Sequence, residues 1–261
     1  MQLMSSKRKV DCEPCNQGQT LSPVFKEKKL RLSDDKLSVL TTGASSGYQS
    51  VLAQYSASCG KWYFEATVEE LSENSHFRIG WSTRRTRYDQ PIGSDCFSFA
   101  LRDLDSAKIT LGKRFAYISP RKLIAGDTVG CYLSLPSRAV IASPRNLQDP
   151  LTHLPNLLCD PETVPDPDLC PGGAIYFSIN GEAFPVAFTN LVQGEYFPAV
   201  SLFGKSARIR FNFDAPFAFP PPPEERNDSF RPASEMYVPK ELMKPKRRPP
   251  NFIPRGLTSG A

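Results

Sequence analysis

Histidine is scarce in this sequence of 261 residues, which contains only His76 and His153. Most nucleophilic enzymes and many metal sites need histidine as a base or a ligand. His76 lies on the exposed face of a predicted strand and His153 lies in a proline-rich stretch, so neither has an evident partner. The pair Asp34 and Asp35 is typical of a turn rather than of a catalytic acid and base. We therefore expect neither catalysis nor a cofactor.

Long apolar runs are also missing, since no stretch of 18 or more apolar residues occurs and residues 1–9 lack the apolar region of a signal peptide. An intracellular protein without a membrane span is expected. The seven cysteines are an odd number, which favours reduced thiols over a disulfide framework. Cys12 and Cys15 have the spacing of half a zinc site. Cys159 and Cys170 are too far apart to complete it, so no metal site is predicted.

Proline is abundant, with 25 residues, and its distribution suggests the domain boundaries. Eight prolines lie in residues 136–173 and ten lie from Pro220 to the end. Proline cannot donate a hydrogen bond to a sheet, so these stretches exclude central strands. We predict a flexible basic arm at residues 1–26 and a domain at 27–220 with a proline-rich insertion at 136–173. A proline-rich basic tail is predicted at 221–261.

Basic clusters occur in both predicted ends of the chain, at residues 5–10 and 244–249. Each is a candidate nuclear-import signal or a weak contact to nucleic acid, because lysine and arginine neutralise phosphate without reading sequence. Solvated surface charge is the alternative interpretation.

Two aromatic segments show the alternation of β-strands. In residues 60–65, Trp62 and Phe64 share one face while Tyr63 and Glu65 share the other. In residues 77–82, Phe77, Ile79 and Trp81 oppose Arg78. Large aromatics on one face of a strand usually build a core. Both segments are predicted to be half-buried strands.

Further alternating segments continue this pattern, and no amphipathic helix of three or more turns is evident. Asn180-Gly181 is a strong hairpin signal between two of the segments. An all-β fold is expected. The further predicted strands are residues 127–135, 175–179, 182–188, 196–203 and 207–213.

The basic residues of the central domain are concentrated in one stretch. Residues 78–122 contain ten lysines and arginines against four acidic residues. Arg78 begins this stretch, and alternation predicts that it is exposed. Such a surface suits an acidic partner, although scattered solvated charge is the alternative.

The motifs together resemble a known family. The Trp-Tyr-Phe-Glu segment at residues 62–65 resembles the SPRY domain, and other segments resemble more narrowly the SPRY domain of the Ash-two subunit of trithorax and SET-type histone methyltransferase complexes. The resemblance covers roughly residues 27–237 and implies a bent antiparallel β-sandwich of the concanavalin-like jelly-roll type. The segments of the narrower resemblance are residues 32–37, 78–82, 91–99, 209–213 and 231–236, whereas residues 194–203 resemble SPRY domains in general.

The resemblance implies a non-catalytic, nuclear scaffold that activates a methyltransferase for lysine four of histone three. In the family, the domain binds an acidic segment of the WD-repeat subunit, of the retinoblastoma-binding protein five type, and the pair activates the SET-domain enzyme. The partner-binding residues it implies are Tyr48, Arg78, Pro91, Ser94 and Arg102. An arginine suits such a partner because its planar fork matches a carboxylate.

This sequence departs from the family at three places. Ser94 stands where the family has an aromatic residue, and Leu104 stands where it has a basic one. A basic loop of Arg84, Arg85 and Arg87 is predicted to support the site. The family continues into a helix that binds the dumpy-thirty dimer, whereas prolines in residues 240–261 prevent such a helix, so that partner is not expected.

A SPRY substrate receptor or peptide-binding adaptor of a ubiquitin ligase is the second interpretation. Against it, no RING, B-box or SOCS-box pattern accompanies the domain.

Overall fold

Two β-sheets form the fold. The computed structural model describes residues 18–43, 47–136, 169–222 and 229–236. Within these residues the first sheet has seven strands. Their spatial order is β1 (Leu21–Lys26), β4 (Gln49–Ala53), β14 (Phe197–Phe203), β6 (His76–Ser82), β7 (Ser98–Arg102), β8 (Lys108–Thr110) and β9 (Lys113–Phe115).

The second sheet has nine strands in the same described residues. The main spatial order is β12 (Glu182–Ala183), β11 (Leu169–Ile179), β10 (Thr128–Leu135), β5 (Gly60–Leu71), β15 (Ala207–Asn212), β3 (Ser38–Leu40) and β2 (Arg31–Leu32). In addition, β13 (Phe188–Val192) pairs with β11, and β16 (Arg231–Pro232) pairs with β5. The β16–β5 pairing is parallel, and a 3-10 helix follows at Ala233–Glu235.

Aromatic side chains from the two sheets meet in a shared core. Trp62 and Phe64 on β5 and Trp81 on β6 have no solvent exposure. The ring centroids of Phe64 and Trp81 lie 5.0 Å apart with an interplanar angle of 72°, an edge-to-face geometry that aromatic pairs favour. Because β5 and β6 belong to different sheets, this contact joins the sheets face to face. The predicted all-β sandwich is confirmed.

Residues 62–66 of strand β5 are buried on both faces, so the prediction that this segment is half-buried is wrong. Tyr63 and Glu65, on the face opposite Trp62, are also buried. The chain after β15 crosses this outer face, where the ring of Phe217 packs 4.8 Å from that of Tyr63. The backbone N–H of Phe219 donates a hydrogen bond of 2.6 Å to Glu65. Alternation alone could not predict this second layer.

The Asn180-Gly181 turn joins β11 to β12, as predicted. Both residues have positive φ, 51° and 84°, which a two-residue hairpin of type I′ requires. The single strand expected at residues 182–188 is divided instead into β12 and β13. Pro185 lies between these strands, and proline has no N–H to continue a ladder.

The structure places ordered elements within all three segments that were predicted to lie outside the sheets. Strand β1 lies within residues 1–26, β11 begins within 136–173, and β16 and the 3-10 helix lie within 221–261. Ala233 and Met236 have no solvent exposure, so the end of the described chain packs into the core. Cys12, Cys15, Cys159 and both basic clusters lie outside the described residues.

In the part of the chain that the structure describes, no helix has the length and apolar character needed to cross a membrane. Cys131 and Cys170 are buried free thiols, and burial raises the pKa of both.

Candidate functional site

Two arginines are neighbours on the outer face of the first sheet. Arg78 on β6 is directly paired with Arg102 on β7. Their chain neighbours Ile79 and Leu101 are fully buried in the core between the sheets, so alternation places both arginines on the opposite face. Like charges directly opposite each other in a sheet are destabilising. An arginine pair in this position therefore suggests a role in binding an anion.

Tyr48 covers one side of this pair. Its ring centroid lies 5.1 Å from the guanidinium carbon of Arg78, within the range of a cation–π contact. Burial lowers the pKa of Arg78, and the nearby Tyr48 opposes that change. Burial likewise raises the pKa of the Tyr48 phenol, while Arg78 opposes it.

Arg78 is half-buried, so the prediction that it is exposed is wrong. Besides the Tyr48 ring, the loop between β6 and β7 covers it, and its Nη1 donates a hydrogen bond of 3.3 Å to the carbonyl of Ile92. Its Nε is buried and has no hydrogen-bond partner among the described residues. An unpaired buried donor is costly.

A tight turn at residues 91–94 forms the next wall of the site. The N–H of Ser94 donates to the carbonyl of Pro91 over 3.1 Å, and Gly93 has a φ of 86°, as a type II turn requires at its third residue. The N–H of Ile92 donates to Ser201 Oγ on β14 over 2.7 Å. The turn is thereby fixed to the sheet beside Arg78.

Carboxylates balance only part of the positive charge. Asp105 accepts hydrogen bonds from Arg102 over 3.2 Å and from Arg114 over 2.9 Å. Arg78 has no carboxylate within ion-pair distance among the described residues. The surface defined by Tyr48, Arg78, Arg102 and the turn at residues 91–94 is called the arginine-pair site below.

A buried carboxylate lies beside the arginine-pair site. Asp103 has no solvent exposure, and its Oδ2 lies 3.0 Å from His76 Nδ1. Burial raises the pKa of Asp103, and the contact with His76 opposes that change. The His76 ring is stacked against Phe203 with a centroid distance of 6.0 Å. His76 is thus half-buried and paired, not on an exposed face as predicted.

The predicted supporting loop does not act as one unit. The guanidinium of Arg84 lies 4.6 Å from the Phe25 ring centroid, and that of Arg85 lies 5.2 Å from the Phe97 ring centroid. Arg87 forms two hydrogen bonds with Asp89, of 3.0 Å and 2.7 Å.

The structure brings together Tyr48, Arg78, Pro91, Ser94 and Arg102, the residues that the family resemblance implied. The sequence analysis did not predict that His76 contacts Asp103 and Phe203 beside this site. Side chains of a strand alternate between its two faces, so the sequence alone places His76 on the same face of β6 as Arg78. The pairing of His76 with Phe203 depends on the register between β6 and β14, which the sequence does not contain.

The described residues contain no group of three or more histidine, cysteine, aspartate or glutamate side chains arranged to hold a metal ion. What the arginine-pair site offers is two guanidinium groups, an aromatic ring and a rigid turn. This chemistry suits an acidic peptide, because guanidinium groups bind carboxylates through paired hydrogen bonds.

Comparison with known proteins identifies the class. Residues 61–141 match the SPRY domain family. The SPRY domain of human HERC1 has a TM-score of 0.52 at 13% identity, covering 73% of this chain and 96% of that chain. Another human SPRY domain has a TM-score of 0.50 at 17% identity, covering 73% of this chain and 98% of that one. A SPRY domain is therefore present.

Longer sequence matches confirm the predicted resemblance to the Ash-two subunit. The ASH2 subunit of the Drosophila melanogaster Set1/Ash2 histone methyltransferase complex is 34% identical over 204 residues, covering 74% of this chain and 35% of that protein. The Caenorhabditis elegans subunit ash-2 of the corresponding complex is 29% identical over 190 residues, covering 66% and 33%.

The Set1 complex component ash2 of Schizosaccharomyces pombe is 26% identical over 246 residues, covering 77% of this chain and 36% of that protein. The chain thus spans about one third of the length of the curated relatives it matches.

Proposed function

We propose that this chain is a non-catalytic, nuclear subunit of a histone methyltransferase complex that acts on lysine four of histone three. In this proposal the arginine-pair site binds an acidic segment of the WD-repeat subunit, and the resulting pair activates the SET-domain enzyme. The similarity to ASH2 subunits of Set1 complexes supports the complex. The observation that most directly supports this binding site is the pairing of Arg78 with Arg102 on neighbouring strands.

The site is suited to this role because most of its parts are held in place before a ligand binds. The Tyr48 ring and the Ile92 carbonyl hold Arg78, and Asp105 holds Arg102. A preorganised arginine loses less conformational entropy on binding. A peptide carboxylate beside Arg78 would add the opposite charge that the arginine pair lacks.

The test measures binding of the acidic segment of a WD-repeat subunit of the retinoblastoma-binding protein five type. Arg78→Ala and Arg102→Ala are each expected to weaken binding at least about 30-fold, since removing one partner of a desolvated charge pair costs about 2–5 kcal/mol. Arg208→Ala is the matched control. Arg208 lies on β15 of the second sheet and pairs there with Glu69, so binding should not change.

Retained binding by both site variants would contradict the proposal. Co-purification from nuclear extract with the tagged chain provides a second test. Recovery of a WD-repeat subunit together with a SET-domain enzyme supports the complex, whereas recovery of cullin components would favour the ubiquitin-ligase alternative.

A further inference from the structure

The outer face of the first sheet carries a third arginine, Arg84, beyond the loop that covers Arg78. At the centre of that loop, Ile92 is fully buried in an apolar cluster on this face, together with Leu52, Ala100 and Phe197. The guanidinium of Arg78 donates a hydrogen bond to the backbone carbonyl of Ile92. Phe25 packs against the same cluster, and the guanidinium of Arg84 lies on its ring.

Arg84 is the loop arginine that belongs to this face. Phe25 contacts the outer-face cluster, with its ring 5.9 Å from that of Phe197. Phe97, which lies under Arg85, belongs instead to the core between the two sheets. Arg84 and Arg85 are therefore in contact with different clusters although they are adjacent in the chain.

The charge of Arg84 is available to a ligand. Its side chain is exposed, and it has no carboxylate within ion-pair distance among the described residues. Arg87, in the same loop, is already neutralised by its two hydrogen bonds to Asp89. A guanidinium stacked on a ring keeps its N–H edge free to bind a carboxylate while the ring restricts its motion.

The separation between Arg84 and the arginine-pair site follows from the register of the first sheet. Phe197 is paired with Ser82, which is four residues from Arg78 along β6. A rise of about 3.3 Å per residue places these two positions of β6 about 13 Å apart. This distance is the component of the separation along the strands. Because Phe25 lies on β1, on the far side of β14 from β6, an extended peptide needs at least about four residues to reach Arg84 from Arg78.

We propose that Arg84 on Phe25 is a second anchoring point for the acidic partner segment, which crosses Ile92 in an extended conformation. This inference rests on the proposed function and deepens it. The preferred ligand carries two acidic groups separated by about four residues. One group binds Arg78 and Arg102, and the other binds Arg84. Arg87 takes no part, because Asp89 already compensates its charge.

Two labelled synthetic peptides test this by fluorescence anisotropy with the full chain. The long peptide has an Asp-Asp pair and a Glu-Glu pair separated by four Gly and Ser residues. The short-charge peptide has the same length, with the second pair replaced by Ser. The wild-type chain is expected to bind the long peptide up to about 5-fold more tightly, because an exposed charge pair contributes up to about 1 kcal/mol.

Arg84→Gln is expected to remove this difference and leave the short-charge peptide unaffected. Arg87→Gln is the matched control from the same loop and should bind both peptides like wild type. If Arg84→Gln keeps the preference, or weakens both peptides equally, the second anchoring point is wrong. Arg78→Ala should weaken both peptides. If it weakens neither, or if wild type binds neither, the proposed function itself fails.

Discussion

Arg78 and Arg102 stand directly opposite each other on neighbouring strands, and of the two only Arg102 has a carboxylate within ion-pair distance among the described residues, Asp105. Residues at such positions have Cβ atoms about 4.5–5.5 Å apart. The arrangement brings two positive charges together and leaves the buried Nε of Arg78 without a hydrogen-bond partner among the described residues. A side chain kept in this position is expected to serve binding rather than stability.

We predict that Arg78→Met does not lower the stability of the domain. Methionine keeps the apolar stem of the side chain and removes both the repulsion from Arg102 and the unpaired Nε. The free energy of unfolding in urea should be unchanged or higher by up to about 1 kcal/mol. Arg208→Met is the control, because it removes an ion pair with Glu69. A loss above about 1 kcal/mol for Arg78→Met would contradict the prediction.

Gly93→Ala is predicted to disrupt the turn beside the arginine-pair site. The φ of 86° is strained for any residue with a Cβ, and a Cβ at this position would lie 2.7 Å from the carbonyl oxygen of Ile109. We expect a loss of stability of about 1–3 kcal/mol together with weaker binding of the acidic peptide. Gly126→Ala is the control.

Gly126 also has a positive φ, 95°, but a Cβ there would meet no atom within 4 Å. It should therefore lose stability through its backbone alone and retain peptide binding. Equal losses of binding in the two variants would show that the Gly93 turn has no specific role in the site.

Glu65→Gln is predicted to destabilise the second sheet. The buried carboxylate of Glu65 accepts hydrogen bonds from the backbone N–H groups of Ala218 and Phe219 and from the hydroxyl of Tyr63. An amide keeps only one acceptor oxygen and turns an NH2 group toward a donor. Thermal and urea unfolding should show a loss of about 1.5–3 kcal/mol. Peptide binding to the other sheet should be retained. A loss below about 0.5 kcal/mol would contradict this account.

Asp35 is predicted to contribute to stability at neutral pH but not at strongly acidic pH. Hydrogen bonds from Ser33 and the backbone of Leu37, with help from Arg210, lower its pKa from 3.8 to about 2. Since the pKa is lower in the folded state, the contribution is present above about pH 4 and disappears as the pH falls towards 2. The side chain of Asp35 is 44% exposed, so screening limits the contribution to below about 1 kcal/mol.

The measurement is urea unfolding of wild type and Asp35→Asn from pH 6 to pH 2. The difference in unfolding free energy between them should shrink over the interval from pH 4 to pH 2. A difference that stays constant over the whole range would exclude a titrating role for Asp35.

The strand-rich fold and most of the core follow from local patterns in the sequence. Alternation identified the buried faces of Trp62, Phe64 and Trp81, because side chains in a strand point to opposite faces with a period of two. The Asn180-Gly181 turn was also predictable, since few dipeptides adopt positive φ at both positions. These are local properties of the backbone, and a single sequence contains them.

Which charged side chains lie together depends on long-range packing and strand register. The pairing of β6 with β7 places Arg78 beside Arg102, and a register shifted by one residue would separate them. Long-range packing also buried Glu65 beneath residues 217–219, which alternation had predicted to be a solvent-facing position. Finally, the sequence presented Arg84, Arg85 and Arg87 as one basic loop. The structure separated them, because each guanidinium found a different partner, Phe25, Phe97 or Asp89.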